Sequence, residues 1–133
     1  GENDSSEEIE AMTAWIAENL GPDVPLHFTA FHPDYRMLDK PSTPPETLTR
    51  ARDIALKNGL HFVYTGNIHD TKGGSTYCPK CRAMLIERDW YQLGKWHLDP
   101  QGCCKSCGYH LPGVVETMPG DWGPKRRPVV LHR

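Results

Sequence analysis

Cys78-Pro79-Lys80-Cys81 and Cys104-Lys105-Ser106-Cys107-Gly108 are the stretches whose reading decides the fold of the second half of this chain. Twenty-two residues lie between the two Cys-x-x-Cys pairs. Each pair brings two thiolates onto one tight turn. Two such turns facing each other satisfy a four-coordinate Zn²⁺ at Zn–S distances of ~2.3 Å. Gly108 fits such a knuckle, where the chain often needs a positive φ. The spacing therefore predicts one metal site made by Cys78, Cys81, Cys104 and Cys107, with rubredoxin-like iron as the other metal that four thiolates suit. Five cysteines is an odd number and argues against a closed disulfide framework. A thioredoxin-like redox site needs only one such pair, placed after a strand of a βαβ unit. Cys103 is the spare thiol, because only Cys104 reproduces the spacing of the first pair. His97 and His110 lie close in sequence and read as solvated or structural histidines.

Around the cysteines the chain reads as a ribbon. Residues 84–88 and 91–98 have the β-formers of a hairpin, with Asp89-Trp90 near its turn. The tail from Leu111 carries four prolines and three glycines and reads as extended, packing only in places.

The residues before the ribbon have a different pattern. Asp4 followed by Glu7 reads as a capping box. Ile9, Met12, Ile16 and Leu20 then recur at helical spacing beside Trp15, and Gly21-Pro22 ends the helix. Leu26 to Phe31 reads as a strand with apolar side chains on both faces. A loop, His32 to Pro41, follows. Thr43 then reads as the N-cap of a helix with Pro44 in its first position, running to Asn58 and stopped by Gly59. His61 to Thr65 is the second strand, and Gly66 to Ser75 reads as loop. Strand, helix, strand makes a βαβ unit with parallel strands. Two parallel strands bury their faces poorly by themselves, which predicts missing partner strands. Leu26, Phe28 and Phe31 are then expected to face water along an unpaired edge. The fold class expected is α/β: terminal βα elements of a partial TIM-type barrel over residues 1–72, then a four-cysteine zinc-ribbon module with its tail over residues 73–133.

Composition narrows the function. The net charge is −2 over 133 residues, so nothing in the overall balance favours nucleic acid. The charge is uneven: five acids fall in the first ten residues, and the last nine carry Lys125, Arg126, Arg127 and Arg133. No apolar run approaches ~18 residues, so no membrane span is expected. No signal-peptide pattern is present, and the expected compartment is the cytoplasm. The chain opens Gly-Glu-Asn-Asp without a methionine and enters a helix almost at once, which reads as a cut inside a larger protein.

Several further stretches carry polar chemistry. His32-Pro33-Asp34-Tyr35 and Asn67-Ile68-His69-Asp70 each follow a strand, where barrels place function. His69-Asp70 reads as an ordinary loop, because no nucleophile motif lies near it. Trp90, Tyr91 and Trp96, with Arg88 and Lys95, have the makings of an aromatic and basic face, although packing of the hairpin explains the aromatics equally well.

Taken together, these residues resemble a known family. The run Leu26-His27-Phe28-Thr29-Ala30-Phe31-His32-Pro33-Asp34-Tyr35, then Leu38, Pro41 and Asn58-Gly59-Leu60, is similar to the last barrel segments of radical S-adenosylmethionine enzymes, among the relatives of the pyruvate formate-lyase activating enzyme. Tyr64-Thr65-Gly66-Asn67, the two cysteine pairs and Trp122-Gly123-x-x-Arg126-Arg127-Pro128-Val129 resemble one branch, the radical SAM enzymes of the AmmeMemoRadiSam system. Gly1-Glu2-Asn3-Asp4 is similar to the segment after the preceding barrel strand. The resemblance implies a 4Fe-4S cluster and S-adenosylmethionine for a full-length protein, with His32 as the residue that approaches the S-adenosylmethionine. It also implies that the partners are the missing N-terminal barrel portion and an unknown protein substrate or system partner. The Cys-x-x-x-Cys-x-x-Cys triplet that holds the cluster in this family is absent, as is the family's glycine-rich motif. The resemblance therefore implies a C-terminal portion that is not catalytic alone. The alternative is a stand-alone zinc-ribbon module that binds protein or nucleic acid.

Overall fold

The structure, a computed structural model, describes residues 1–120 and Gly123. Its architecture is mixed α/β with two small sheets. The elements are helix α1 (Ser6–Asn19), strand β1 (Leu26–Thr29), helix α2 (Pro45–Lys57), strand β2 (Val63–Gly66), the single helical turn α3 (Thr71–Gly74), and strands β3 (Thr76–Tyr77), β4 (Met84–Asp89) and β5 (Gln92–Trp96).

The cap of α1 is Ser5, one residue later than the pattern suggests. Its hydroxyl accepts from the Glu8 amide at 3.2 Å and donates to the Glu8 carboxylate at 2.7 Å. A hydroxyl can do both, whereas the Asp4 carboxylate can only accept. The apolar stripe on α1 is also only partly a core stripe. Ile9 and Thr13 are buried and Ile16 is half-buried, but Met12, Trp15 and Leu20 are 42%, 57% and 56% exposed. Only one side of α1 has a neighbour in these residues, and that side runs through Ile9, Thr13 and Ile16. Thr13 is buried at no apparent cost, since its hydroxyl donates to the Ile9 carbonyl and accepts from Asn58 Nδ2, both at 2.8 Å.

Helix α2 begins after Pro44, not at it. A residue that precedes proline is driven out of the helical region, and Pro44 precedes Pro45. Pro44 accordingly has φ −63° and ψ 140°, and Pro45 takes the first helical position. Thr43 is therefore no helix cap. Its hydroxyl accepts from the Phe31 amide and its own amide donates to the Phe31 carbonyl, which ties the returning loop to the end of β1. The other end of α2 is as expected. Gly59 has φ +91°, its amide reaches the Leu56 carbonyl, and the Leu60 amide reaches that of Ala55, the paired bonds of a glycine-terminated helix.

Strands β1 and β2 pair in parallel, with Leu26 opposite Val63, His27 opposite Tyr64, Phe28 opposite Thr65 and Thr29 opposite Gly66. Both are four residues long, shorter than or shifted from the expected spans. Their faces alternate. Leu26, Phe28 and Val63 pack with Ala55, Leu60 and Ile16 on the helix side. His27 and Thr29 are exposed on the other side, so β1 does not bury apolar side chains on both faces. Leu26, Phe28 and Phe31 are half-buried and do not stand open to water as expected.

The second sheet is antiparallel in the order β3-β4-β5. Asp89 pairs with Gln92, so the turn is Trp90-Tyr91, one residue beyond the expected position. Behind it lies a core of Cys78, Leu85, Ile86, Leu98, Cys104 and Leu111. Phe62, from the approach to β2, is buried in the same core, and Tyr64 packs against it. The parallel pair thus has α1 and α2 on one face and meets the ribbon on the other. The tail anchors where the Leu111 amide donates to the Gly102 carbonyl and the Leu111 side chain is buried, and again at half-buried Val115, which packs against the same core; Val114 and Met118 are exposed. The aromatic and basic run at Trp122 to Val129 lies, apart from Gly123, outside the described residues.

Candidate metal centre

The first knuckle is built by two backbone bonds. The Cys78 amide donates to the Ala83 carbonyl at 2.9 Å, and the Arg82 amide returns to the Cys78 carbonyl at 2.9 Å. The second repeats it with the same offsets: Cys104 amide to Tyr109 carbonyl at 2.8 Å, and Gly108 amide to Cys104 carbonyl at 2.8 Å. In both, the residue that closes the turn has positive φ, 71° at Gly108 and 63° at Arg82. Gly108 is legible in the sequence for this reason. Arg82 is not, because an arginine gives no sign of a left-handed backbone; the signal that finds it is its equivalent place, one residue beyond a Cys-x-x-Cys.

The two knuckles bring four sulfurs together. The Sγ atoms of Cys78, Cys81, Cys104 and Cys107 all lie within 4.8 Å of one another. Cys78 and Cys107 are 3.6 Å apart, as are Cys81 and Cys104. A tetrahedron with ~2.3 Å metal–sulfur bonds has edges of about 3.8 Å. A disulfide needs about 2.05 Å, so these are facing thiols rather than bridges. Four cysteines in this arrangement are placed to hold a metal ion.

Their protonation fits that task. Burial pushes the Cys104 thiol up, but the amides of Ser106 and Cys107 and the thiols of Cys81 and Cys107 outweigh it and bring it down to about 7. At Cys81 the Ala83 amide pulls the thiol down. Burial of its sulfur and the thiols of Cys107, Cys78 and Cys104 prevail and push it up to about 12. The neighbouring thiols thus favour the thiolate at Cys104 and the thiol at Cys81, the pattern of sulfurs that share protons by hydrogen bonds. A cation bound by the four sulfurs would displace those protons.

The other candidates fall outside the cluster. Asp99 Oδ1 accepts from the amides of Gln101 and Cys103, and this turn directs Cys104 into the core and leaves Cys103 aside. His97 Nε2 contacts the Ser106 hydroxyl at 2.8 Å, and His110 is exposed. His32 sits just past the C-terminal end of β1, exposed. Asp34 shapes the turn beyond it by accepting from the Tyr35 amide at 2.7 Å.

His69 and Asp70 do not act as a pair. Asp70 caps α3, accepting from the Gly73 amide at 2.8 Å and the Thr65 hydroxyl at 2.9 Å. His69 accepts from the Trp90 indole N–H at 2.8 Å. Trp96 packs into the ribbon core while Trp90 and Tyr91 stand at its turn, so the three aromatics do not form one face. No helix among the described residues is long and apolar enough to cross a membrane.

Comparison with known proteins adds a relative without a function. The chain is 43% identical over 114 residues to an uncharacterized protein of Methanocaldococcus jannaschii, a match over 85% of this chain and 34% of that protein. The chain thus spans about a third of the length of that relative. No family model matches, and no solved structure matches.

Proposed function

We propose that this chain is the C-terminal portion of a radical S-adenosylmethionine enzyme, carrying late βα elements of its barrel and a structural zinc ribbon. The observation that carries the reading is the joint between the two halves. A parallel strand pair with its crossover helix on one face meets a four-cysteine ribbon on the other, through Phe62 and Tyr64. The loops after β1 and β2, with His32 and Asn67, lie at the strand ends where a barrel gathers its chemistry. His32 is exposed and has no hydrogen-bond partner among the described residues. The length of the archaeal relative leaves room for elements that this chain does not carry.

In this reading the metal is Zn²⁺, a redox-inert ion suited to a closed four-thiolate site. Its role is to hold the ribbon against the barrel. The cluster, the S-adenosylmethionine and the reaction belong to the larger protein, in the cytoplasm, with a protein substrate or system partner.

The test uses the full-length protein, purified without chelator and reconstituted anaerobically with iron and sulfide. It is expected to hold one zinc in addition to a 4Fe-4S cluster and to form 5′-deoxyadenosine from S-adenosylmethionine under reduction. The chain of 133 residues is expected to bind the zinc only. A full-length protein that assembles no cluster and cleaves no S-adenosylmethionine overturns the enzyme reading. Iron in place of zinc at the four cysteines overturns the metal assignment.

A further inference from the structure

A groove of about 460 Å³ opens where the end of β2 faces the β4–β5 turn. This is within the size range of small-molecule sites. One wall is the stacked pair His27 and Tyr64, with ring centroids 4.9 Å apart. The rim carries Trp90 and Tyr91.

Arg88 lines the same groove. Its guanidinium donates to the Thr76 hydroxyl at 2.6 Å and lies 5.7 Å from the centre of the Tyr64 ring. It is half-buried, and no carboxylate lies within ion-pair distance of it among the described residues. The nearby acids do not pair with it. Asp70 is committed to Gly73 and Thr65 and Glu87 accepts from the Lys95 amide, while Asp89 is exposed and lies outside ion-pair distance of Arg88. A guanidinium has five N–H donors in a fixed fork, and Thr76 takes one of them. The remaining donors suit an oxyanion.

A second, independent feature points to the same place. Trp90 has φ +53° in a hairpin turn, a position that favours asparagine or glycine. A bulky residue there is strained. Packing does not account for it, since the residue is 50% exposed. The ring is instead fixed at the rim by its bond to His69, with ring centroids 5.1 Å apart. Strain that holds a half-exposed aromatic ring beside a cavity suggests a use for the ring.

We propose that this groove binds a small planar anion, an aromatic or heteroaromatic ring bearing a carboxylate or a phosphate. Arg88 takes the oxyanion, and Trp90 with the His27–Tyr64 stack supplies flat surface for the ring. The site is separate from the four cysteines and does not depend on the enzyme reading above.

The zinc-loaded protein, isotopically labelled for NMR, is titrated with benzoate, phenyl phosphate and the neutral benzyl alcohol. Both anions are expected to move the Arg88 Nε–H and Trp90 indole N–H resonances together, and the alcohol is not. Tighter binding of phenyl phosphate identifies a phosphate ester as the ligand class, and tighter binding of benzoate identifies a carboxylate. Arg88→Gln is expected to weaken binding by about tenfold to a hundredfold, as for loss of a charge-assisted hydrogen bond. Arg88→Lys keeps the charge and loses the fork, so it is expected to fall between; Trp90→Phe keeps a ring and costs less. If Arg88→Gln does not fold, judged by its metal content and amide spectrum, Arg88→Lys carries the comparison. Absence of shifts at millimolar anion overturns the proposal. So do equal shifts with the alcohol, or binding that neither Arg88 variant weakens.

Discussion

The ribbon and the parallel pair are held together by different means, and the difference shows what each half lacks. In the ribbon the site shares residues with the core. Cys78 and Cys104 are buried within the apolar cluster of Leu85, Ile86 and Leu98. A metal held there would close a core too small to be stable alone. The parallel pair has no such staple. Its core centres on Ala55, Leu60 and Val63, and it leaves Met12, Trp15 and Leu20 of α1 exposed. One edge of β1 has no strand partner among the described residues. Burial and a few local hydrogen bonds must hold this half, and these three apolar side chains of α1 stay largely outside its core.

Metal removal should therefore separate the halves most clearly. Structural zinc in small fingers contributes an apparent ~10–16 kcal/mol to folding at neutral pH. Stripping the ion with a chelator is expected to abolish amide protection from Cys78 to Gly108 while leaving part of that in α1 and α2. Hydrogen exchange before and after chelation measures this. Equal loss in both halves would show that the parallel pair has no independent stability and that the contrast is false.

This contrast also decides what the sequence reveals. Metal spacing is a covalent-scale constraint, so the four cysteines, the rejection of Cys103 and the positive φ at Gly108 are all legible. The helices and the parallel pair are legible in kind, because their periodicities are local. What misleads is anything set by competition or by what does or does not pack on a face. Ser5 displaces Asp4 as a cap because it can donate as well as accept. Pro45 pushes the start of α2 past Thr43. The α1 stripe reads as core because periodicity reports a face and not what covers it. Nor does any local pattern join Phe62 to the ribbon or bring Arg88 beside Tyr64, since both contacts are tertiary.

Phe62 is the next test, because it belongs to one half by sequence and to the other by packing. It is 5% exposed, so Phe62→Ala is expected to cost about 3–5 kcal/mol, as other buried phenylalanines do. The loss should appear in the ribbon first, as weaker protection of Leu85 and Leu98 amides and easier metal removal. Leu60→Ala, of about 2–5 kcal/mol, should instead fall on α2 and β2. Thermal unfolding with residue-level exchange distinguishes them. If Phe62→Ala spares the ribbon, the joint between the halves is only a surface contact.

The smallest effect lies between the two knuckles themselves. They share one hydrogen-bond pattern, yet Gly108 closes one and Arg82 the other, both at positive φ. A left-handed backbone costs a non-glycine residue about 1–2 kcal/mol, and glycine loses about 0.5–1 kcal/mol of that advantage to its freedom in the unfolded chain. Arg82→Gly should thus stabilise the metal-loaded ribbon by up to about 1 kcal/mol, and Gly108→Ala should destabilise it by a similar amount. Nothing within 4 Å would obstruct the added methyl at Gly108, so backbone strain is the only cost expected there. Chelator midpoints for the two variants measure the pair against wild type. If Arg82→Gly weakens the ribbon, the arginine side chain contributes more than its backbone costs. The two knuckles would then be alike in geometry but not in what stabilises them.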